Sequence, residues 1–292
     1  MTIQRVGVVG AGFMGTGIAQ VCAQAGLDVV LVDSVEAQIE RACATLAWSL
    51  NKLVEKSLLR EGVETILARI ATGTSCDLCR DADLVIEAVF EDVVEKKEVL
   101  HRLSLVCAPT ATIGSNTSTI PIARLSEFME HPERAIGIHF FGPVPLMKLV
   151  EVVPHAKTDP AVTRAVMDFT TSLGKNPVLV KQDIPGFLMN RIFGVMVIEA
   201  IHLVASGAGT VADIDQGMCD GFNMRVGPLA IADAAGLDIM LNACRVMYKL
   251  DPMRMPEPPA LLVDLVSEGN LGAKTGQGFY RWEGAKRLEP AL

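Results

Sequence analysis

At 292 residues, half of them hydrophobic, the chain is long enough for two domains that each bury a core, and too apolar for a disordered or fibrous protein. Its 34 Asp and Glu outnumber its 26 Lys and Arg for a net charge of −8, which repels nucleic acid and anionic membranes and argues against either as the main partner. Seven cysteines, an odd count in apolar contexts such as Val21-Cys22-Ala23 and Ala42-Cys43-Ala44, read as buried reduced thiols, and Cys76-x-x-Cys79 lacks the second pair or the His a metal site needs, so no metal is expected.

In chain order, a strand-like run begins almost at once at Val6-Gly7-Val8-Val9, leaving no room for a leader peptide, and the longest apolar stretch, Ile192 to Ala205, is broken by Glu199 and His202. A cytoplasmic protein with no membrane partner is therefore expected. The strand runs into Gly10-Ala11-Gly12-Phe13-Met14-Gly15 and an apolar helix through Ala25, the G-x-G-x-x-G arrangement that cradles a dinucleotide pyrophosphate. Gly10 makes the tight turn, Gly12 lets the backbone approach the phosphates, and Gly15 lets the helix pack on the strand. A second strand, Val29 to Asp33, ends on a carboxylate that would hydrogen-bond the adenosine ribose and repel a 2′-phosphate, favouring NAD over NADP. A simple helix-capping role for Asp33 is the alternative.

Ser34 to Glu61 contains neither Gly nor Pro and reads as one long helix or a helical hairpin projecting from the sheet. Further strand-like runs follow at Leu84 to Ala88, Thr112 to Ser115, Ala135 to His139 and Leu149 to Val153, alternating with helical patterns. That alternation predicts an α/β, doubly wound Rossmann-type sheet over residues 1–182, with a helical insertion near 34–61. After Asp183-Ile184-Pro185-Gly186, a natural break, Gly186 to Val204, Val211 to Cys219, Leu229 to Tyr248 and Pro259 to Glu268 look helical, so residues 183–292 are expected to form an all-α domain. Apolar residues Ile192, Val195, Met196 and Ile198 exceed what so few helices can cover, pointing to a homodimer through that domain.

Chemistry is expected around His139-Phe140-Phe141-Gly142-Pro143 and Lys148-Leu149-Val150-Glu151. Oxidising a carbinol needs a base for the hydroxyl proton, and a carboxylate on the other ring nitrogen would fix the tautomer of a histidine serving as one. His139 and Glu151, each near the end of a predicted strand, can meet across one sheet. Taken singly, each is equally compatible with a packed or surface position.

From the glycine loop to Lys274-Thr275-Gly276-Gln277-Gly278-Phe279-Tyr280, the sequence resembles the 3-hydroxyacyl-CoA dehydrogenase family. The family's His-Phe-Phe-Asn-Pro run, with a Glu twelve residues past the His, is matched by His139 and Glu151. The resemblance implies oxidation of a 3-hydroxyacyl-CoA with NAD, and it assigns Ser118, in Ser115-Asn116-Thr117-Ser118, and Asn190 to the substrate oxygen in a cleft between the domains. It further implies NAD contacts from Glu91, Lys96 and Lys274, which by themselves read as solvated surface charges, and coenzyme A contacts from Ser49 and Lys56. Two positions depart from the family: Gly142 replaces the Asn of the His-Phe-Phe run, and Arg225 stands where a proline is usual near the acyl end. These departures leave open a polar acyl group read by Arg225, an acyl-carrier-protein thioester as in polyketide extender-unit biosynthesis, or a non-catalytic NAD-binding or structural protein on the same fold.

Overall fold

The computed structural model describes residues 2–292, which divide into two compact units, one ending at Ile184 and the other running Pro185–Leu292. The first is built on an eight-stranded sheet. In chain order its elements are β1 (Arg5–Val9), α1 (Phe13–Gln24), β2 (Asp28–Val32), α2 (Glu36–Glu55), α3 (Val63–Leu67), β3 (Ile70–Gly73), β4 (Leu84–Glu87), α4 (Val93–Val106), β5 (Thr112–Ser115), α5 (Ile122–Ser126), β6 (Ala135–Phe140), β7 (Leu149–Pro154), α6 (Pro160–Ser172) and β8 (Asn176–Leu179). The strand order is β3-β2-β1-β4-β5-β6-β7-β8, so winding reverses between β1 and β4, the crevice where doubly wound sheets take ligands. Strands β1 to β6 are parallel, β7 turns back antiparallel on β6, and β8 follows β7 in parallel.

Central strands are buried along their length and are accordingly mostly apolar runs, as in β4, where Leu84, Val85 and Ile86 precede the equally buried Glu87. The two outermost strands escape such a reading. β3 is half exposed and ends in Thr72-Gly73, and β8 carries Pro177, which an edge strand tolerates because its missing N–H breaks no ladder. Helix α2 buries Ile39, Ala42, Leu46 and Leu50 at helical spacing into the main core cluster. It therefore lies against its unit along its length rather than projecting from it. Ser57, in the left-handed region, turns the chain towards α3.

The second unit consists of α7 (Met189–Ala205), α8 (Val211–Phe222), α9 (Pro228–Ala235), α10 (Leu237–Leu250), α11 (Ala260–Ser267) and an antiparallel pair, β9 (Tyr280–Glu283) with β10 (Lys286–Pro290). This unit is helical as expected, with the short hairpin added at its C-terminal end. The expected helix from Leu229 to Tyr248 is two helices, because Gly236 at φ +102 breaks the backbone between them. Two buried carboxylates fasten this unit. Asp215 of α8 accepts the Leu229 and Ala230 N–H groups at 2.9 Å each, capping α9, and takes the Tyr280 hydroxyl at 3.0 Å. Asp233 of α9 accepts the N–H groups of Phe279 and Tyr280 and the Trp282 indole, tying the hairpin down.

On α7, Ile198 turns into the core while Ile192 and Val195 stay exposed. All seven cysteines are free; Cys22, Cys79, Cys107 and Cys244 are buried, but Cys43 lies on the outer face of α2 and is exposed, contrary to its apolar sequence setting. Among the described residues, no helix is long and apolar enough to cross a membrane.

Candidate active site and dinucleotide cradle

The C-terminal ends of β1, β2 and β4 bring the glycine loop together. Gly10 takes φ +106, and a Cβ there would come within 2.5 Å of the Ala88 carbonyl oxygen; a Cβ on Gly15 would strike the Gly10 carbonyl. Both positions exclude side chains for reasons internal to the fold. Gly12 is different: a Cβ there meets nothing within 4 Å, so the space beside it is open for a ligand. Residues of this kind fit the pyrophosphate of a dinucleotide lying across the start of α1. We accordingly expect Gly12→Ala to leave the melting temperature unchanged while weakening NADH binding by at least tenfold in a fluorescence titration, whereas Gly15→Ala lowers stability first. Equal NADH affinity in Gly12→Ala would refute the cradle.

Asp33 Oδ2 accepts the Ala11 N–H at 2.8 Å and Oδ1 accepts that of Val35 at 3.0 Å, so the carboxylate is fixed against the loop at the end of β2. Phe13 is 70 % exposed, and Met14 packs partly on the core. Gly142 lies beside Phe13: a Cβ on it would come within 2.6 Å of the Phe13 ring, so the residue that departs from the family motif leaves room for that ring.

His139 and Glu151 are register partners in the antiparallel β6–β7 pair. His139 Nδ1 lies 2.8 Å from Glu151 Oε2, with Glu151 fully buried and His139 5 % exposed. With Nδ1 donating to the carboxylate, Nε2 is the nitrogen suited to accept a proton. The Phe141 ring packs against the imidazole at 4.4 Å between centroids.

Glu91 and Lys96 are not solvated surface charges. Lys96 is 1 % exposed, and its ammonium donates to Glu87 Oε1 at 2.7 Å and to the Val89 carbonyl, with Glu91 Oε2 at 3.3 Å. Burial alone would drive the ammonium to lose its proton, but the charges of Glu87 and Glu91 outweigh it and raise its pKa. Burial likewise opposes the charge on Glu91, yet Lys96 and the hydrogen bonds it accepts hold its pKa below the usual range. Glu91 Oε1 accepts from the Thr117 hydroxyl and from the Ser118 and Thr119 N–H groups, which fixes the loop that carries Ser118. Ser115 donates to Glu87 Oε2 at 2.5 Å. Glu87, the acid at the centre of this network, was not among the expected site residues; the signal available was a charge ending an otherwise wholly apolar strand.

Ser49 is half-buried on α2 and Lys56 is exposed at its C-terminal end. The remaining expected site residues belong to the second unit. Asn190 lies in the first turn of α7, Arg225 is exposed in the turn between α8 and α9, and the Lys274 ammonium pairs with Asp238 at 2.5 Å.

The sequence profile described as the 3-hydroxyacyl-CoA dehydrogenase NAD binding domain matches residues 5–184, and that of the 3-hydroxyacyl-CoA dehydrogenase C-terminal domain matches residues 186–282. The chain belongs to the 3-hydroxyacyl-CoA dehydrogenase family. Among its relatives, 3-hydroxybutyryl-CoA dehydrogenase of Bradyrhizobium diazoefficiens is 42 % identical over 285 residues, 97 % of each chain. The mitochondrial hydroxyacyl-coenzyme A dehydrogenase of Homo sapiens is 37 % identical over 291 residues, 96 % of this chain and 92 % of the relative. Of solved structures, (S)-3-hydroxybutyryl-CoA dehydrogenase PaaH1 from Ralstonia eutropha superimposes with a TM-score of 0.92 at 41 % identity, covering 97 % of this chain and all of that one. This family's NAD domain accounts for the glycine cradle, and its two-part organisation for the two profiles.

Proposed function

We propose that this chain is an NAD-dependent dehydrogenase that interconverts a 3-hydroxyacyl-CoA and its 3-oxoacyl counterpart, with His139 as the base and Glu151 as the group that orients it. The observation that carries this reading is the buried 2.8 Å contact between His139 Nδ1 and Glu151 Oε2 in a member of this family. Bound at Gly10, Ala11, Gly12, Phe13, Met14, Gly15 and Asp33, NAD supplies the acceptor for the C3 hydride. His139 Nε2 takes the hydroxyl proton, and Glu151 balances the charge that the imidazole then carries. Ser118, on the loop that Glu91 holds, donates to the substrate oxygen. Ser49 and Lys56 are assigned to coenzyme A, Asn190 to the substrate oxygen, and Glu91, Lys96 and Lys274 to the NAD site, as the resemblance assigns them; at the two positions that depart from the family, Gly142 is placed beside NAD and Arg225 at the acyl group. The working form is taken to be a cytoplasmic homodimer, a state supported by the exposed Ile192 and Val195 on α7.

NADH absorbance tests the reading when the protein is offered 3-oxobutyryl and 3-hydroxybutyryl thioesters of coenzyme A and of an acyl carrier protein. Turnover of the coenzyme A thioesters is the expected result. Exclusive use of the carrier-bound forms would move the substrate to the carrier protein, and no turnover of any thioester would leave a non-catalytic NAD-binding protein.

A further inference from the structure

We propose that Asn116 is a positioning residue that fixes the His139 strand against the loop carrying Ser118; the proposal rests on the reading of His139 as the base. Pairing between β5 and β6 ends at Ser115 opposite Gly137, yet β6 runs on through Ile138, His139 and Phe140. On its other side β6 stays paired with β7 as far as Phe140 opposite Val150. The His139 end of the strand would thus be held on one side alone if backbone pairing were its only support.

Asn116 supplies the missing side. Its side-chain Oδ1 accepts the Phe140 N–H at 2.9 Å, and its own N–H donates to the Glu87 carbonyl at 2.8 Å. One residue therefore spans from β4 to β6, using a side-chain carbonyl where β5 no longer offers a backbone one. Phe140 is 2 % exposed, so water is no substitute partner for its N–H. Asn116 also lies two residues before Ser118, whose N–H is fixed by Glu91. The base and the hydroxyl assigned to one substrate oxygen are in this way referenced to each other through a single side chain. Because β6 and β7 move together as a hairpin, loss of this anchor shifts His139 and Glu151 as a pair and leaves their own contact intact.

The test compares Asn116→Leu, which keeps the volume and removes the acceptor, with Asn116→Asp, which keeps an acceptor for the Phe140 N–H. A displacement of the order of 1 Å in a reacting group costs about 10²-fold in rate. The expected result for Asn116→Leu is a loss in kcat of that size, with KM and NADH affinity within about threefold of wild type by the same argument that binding contacts are untouched. The Nδ1–H resonance of His139 in 15N-histidine-labelled protein, assigned by its disappearance in His139→Gln, should persist in Asn116→Leu. Asn116→Asp should recover most of kcat. Should Asn116→Leu not fold, Asn116→Ser, whose hydroxyl is too short to reach, takes its place with the same expectation. Wild-type kcat in the acceptor-less variant, an Asn116→Asp as impaired as Asn116→Leu, or a loss that merely tracks the unfolded fraction would each overturn the proposal. If His139→Gln is inactive while Asn116→Leu is normal, the positioning proposal alone fails; if His139→Gln turns over normally, the reading of the site fails and takes this proposal with it.

Discussion

Exchanging His139 for glutamine should lower kcat by about 10²–10⁴-fold, the range that a positioned general base contributes, with little change in NADH affinity. Glutamine is the informative replacement because its amide can still donate to Glu151 Oε2, the 2.8 Å partner of the imidazole. The buried carboxylate then keeps a hydrogen bond, and the loss can be ascribed to the missing proton acceptor rather than to an unpaired charge. Glu151→Gln should also be severely impaired, since a neutral amide neither balances a protonated imidazole nor favours one tautomer. The two losses should not add, because a base and its orienting group work as one unit. Steady-state kcat and KM, with a fluorescence titration of NADH, separate these effects. A His139→Gln protein with wild-type kcat would remove the base from this site.

Lys96→Met should destabilise the protein by about 3–5 kcal/mol, the usual result of removing one partner from a buried ion pair. The ammonium is 1 % exposed between two carboxylates, and Glu87 is wholly buried. Methionine fills most of the volume but leaves Glu87 and Glu91 facing each other without a cation. That loss is a large part of the roughly 5–15 kcal/mol that keeps a typical domain folded. A second change, Glu87→Gln on the Lys96→Met background, should restore part of the stability by removing the orphaned charge. Urea unfolding of the single and double variants measures both effects. A Lys96→Met protein within about 1 kcal/mol of wild type would show that Lys96 contributes no more than a surface pair does.

Much of the fold is legible because strands buried on both faces must be largely apolar, and six of the eight sheet strands stand out as such runs although each carries a polar or charged residue, such as Glu87, His139 or Glu151. β3 and β8 escape because an edge strand need satisfy that demand on one side only, so Thr72, Gly73 and Pro177 are permitted there. The break at Gly236 escapes for a different reason. Its flanks are equally apolar, and only its backbone angle separates α9 from α10. In the site, the pairing of His139 with Glu151 is legible through the resemblance to the family's motif, and the antiparallel hairpin turns that twelve-residue separation into cross-strand register. Nothing equally local reveals that Lys96 is buried. On α4 it is one charge among several, and its partners Glu87, Val89 and Glu91 come from the end of β4 and the loop that follows it. Asn116 similarly looks like an ordinary turn residue until the strand beside it is seen to outlast its neighbour.

The reversal of chain direction at β7 has a bearing on how the site assembles. His139 and Glu151 are twelve residues apart and meet within one hairpin, whereas the glycine loop meets the Ala88 end of β4 across more than seventy residues of winding. Loop closure grows only with the logarithm of length, so the nearer pairing is favoured by about 2 kcal/mol of chain entropy. The His139–Glu151 pair is therefore a short-range unit that can form early, while the glycine cradle is complete only once β4 has been laid beside β1.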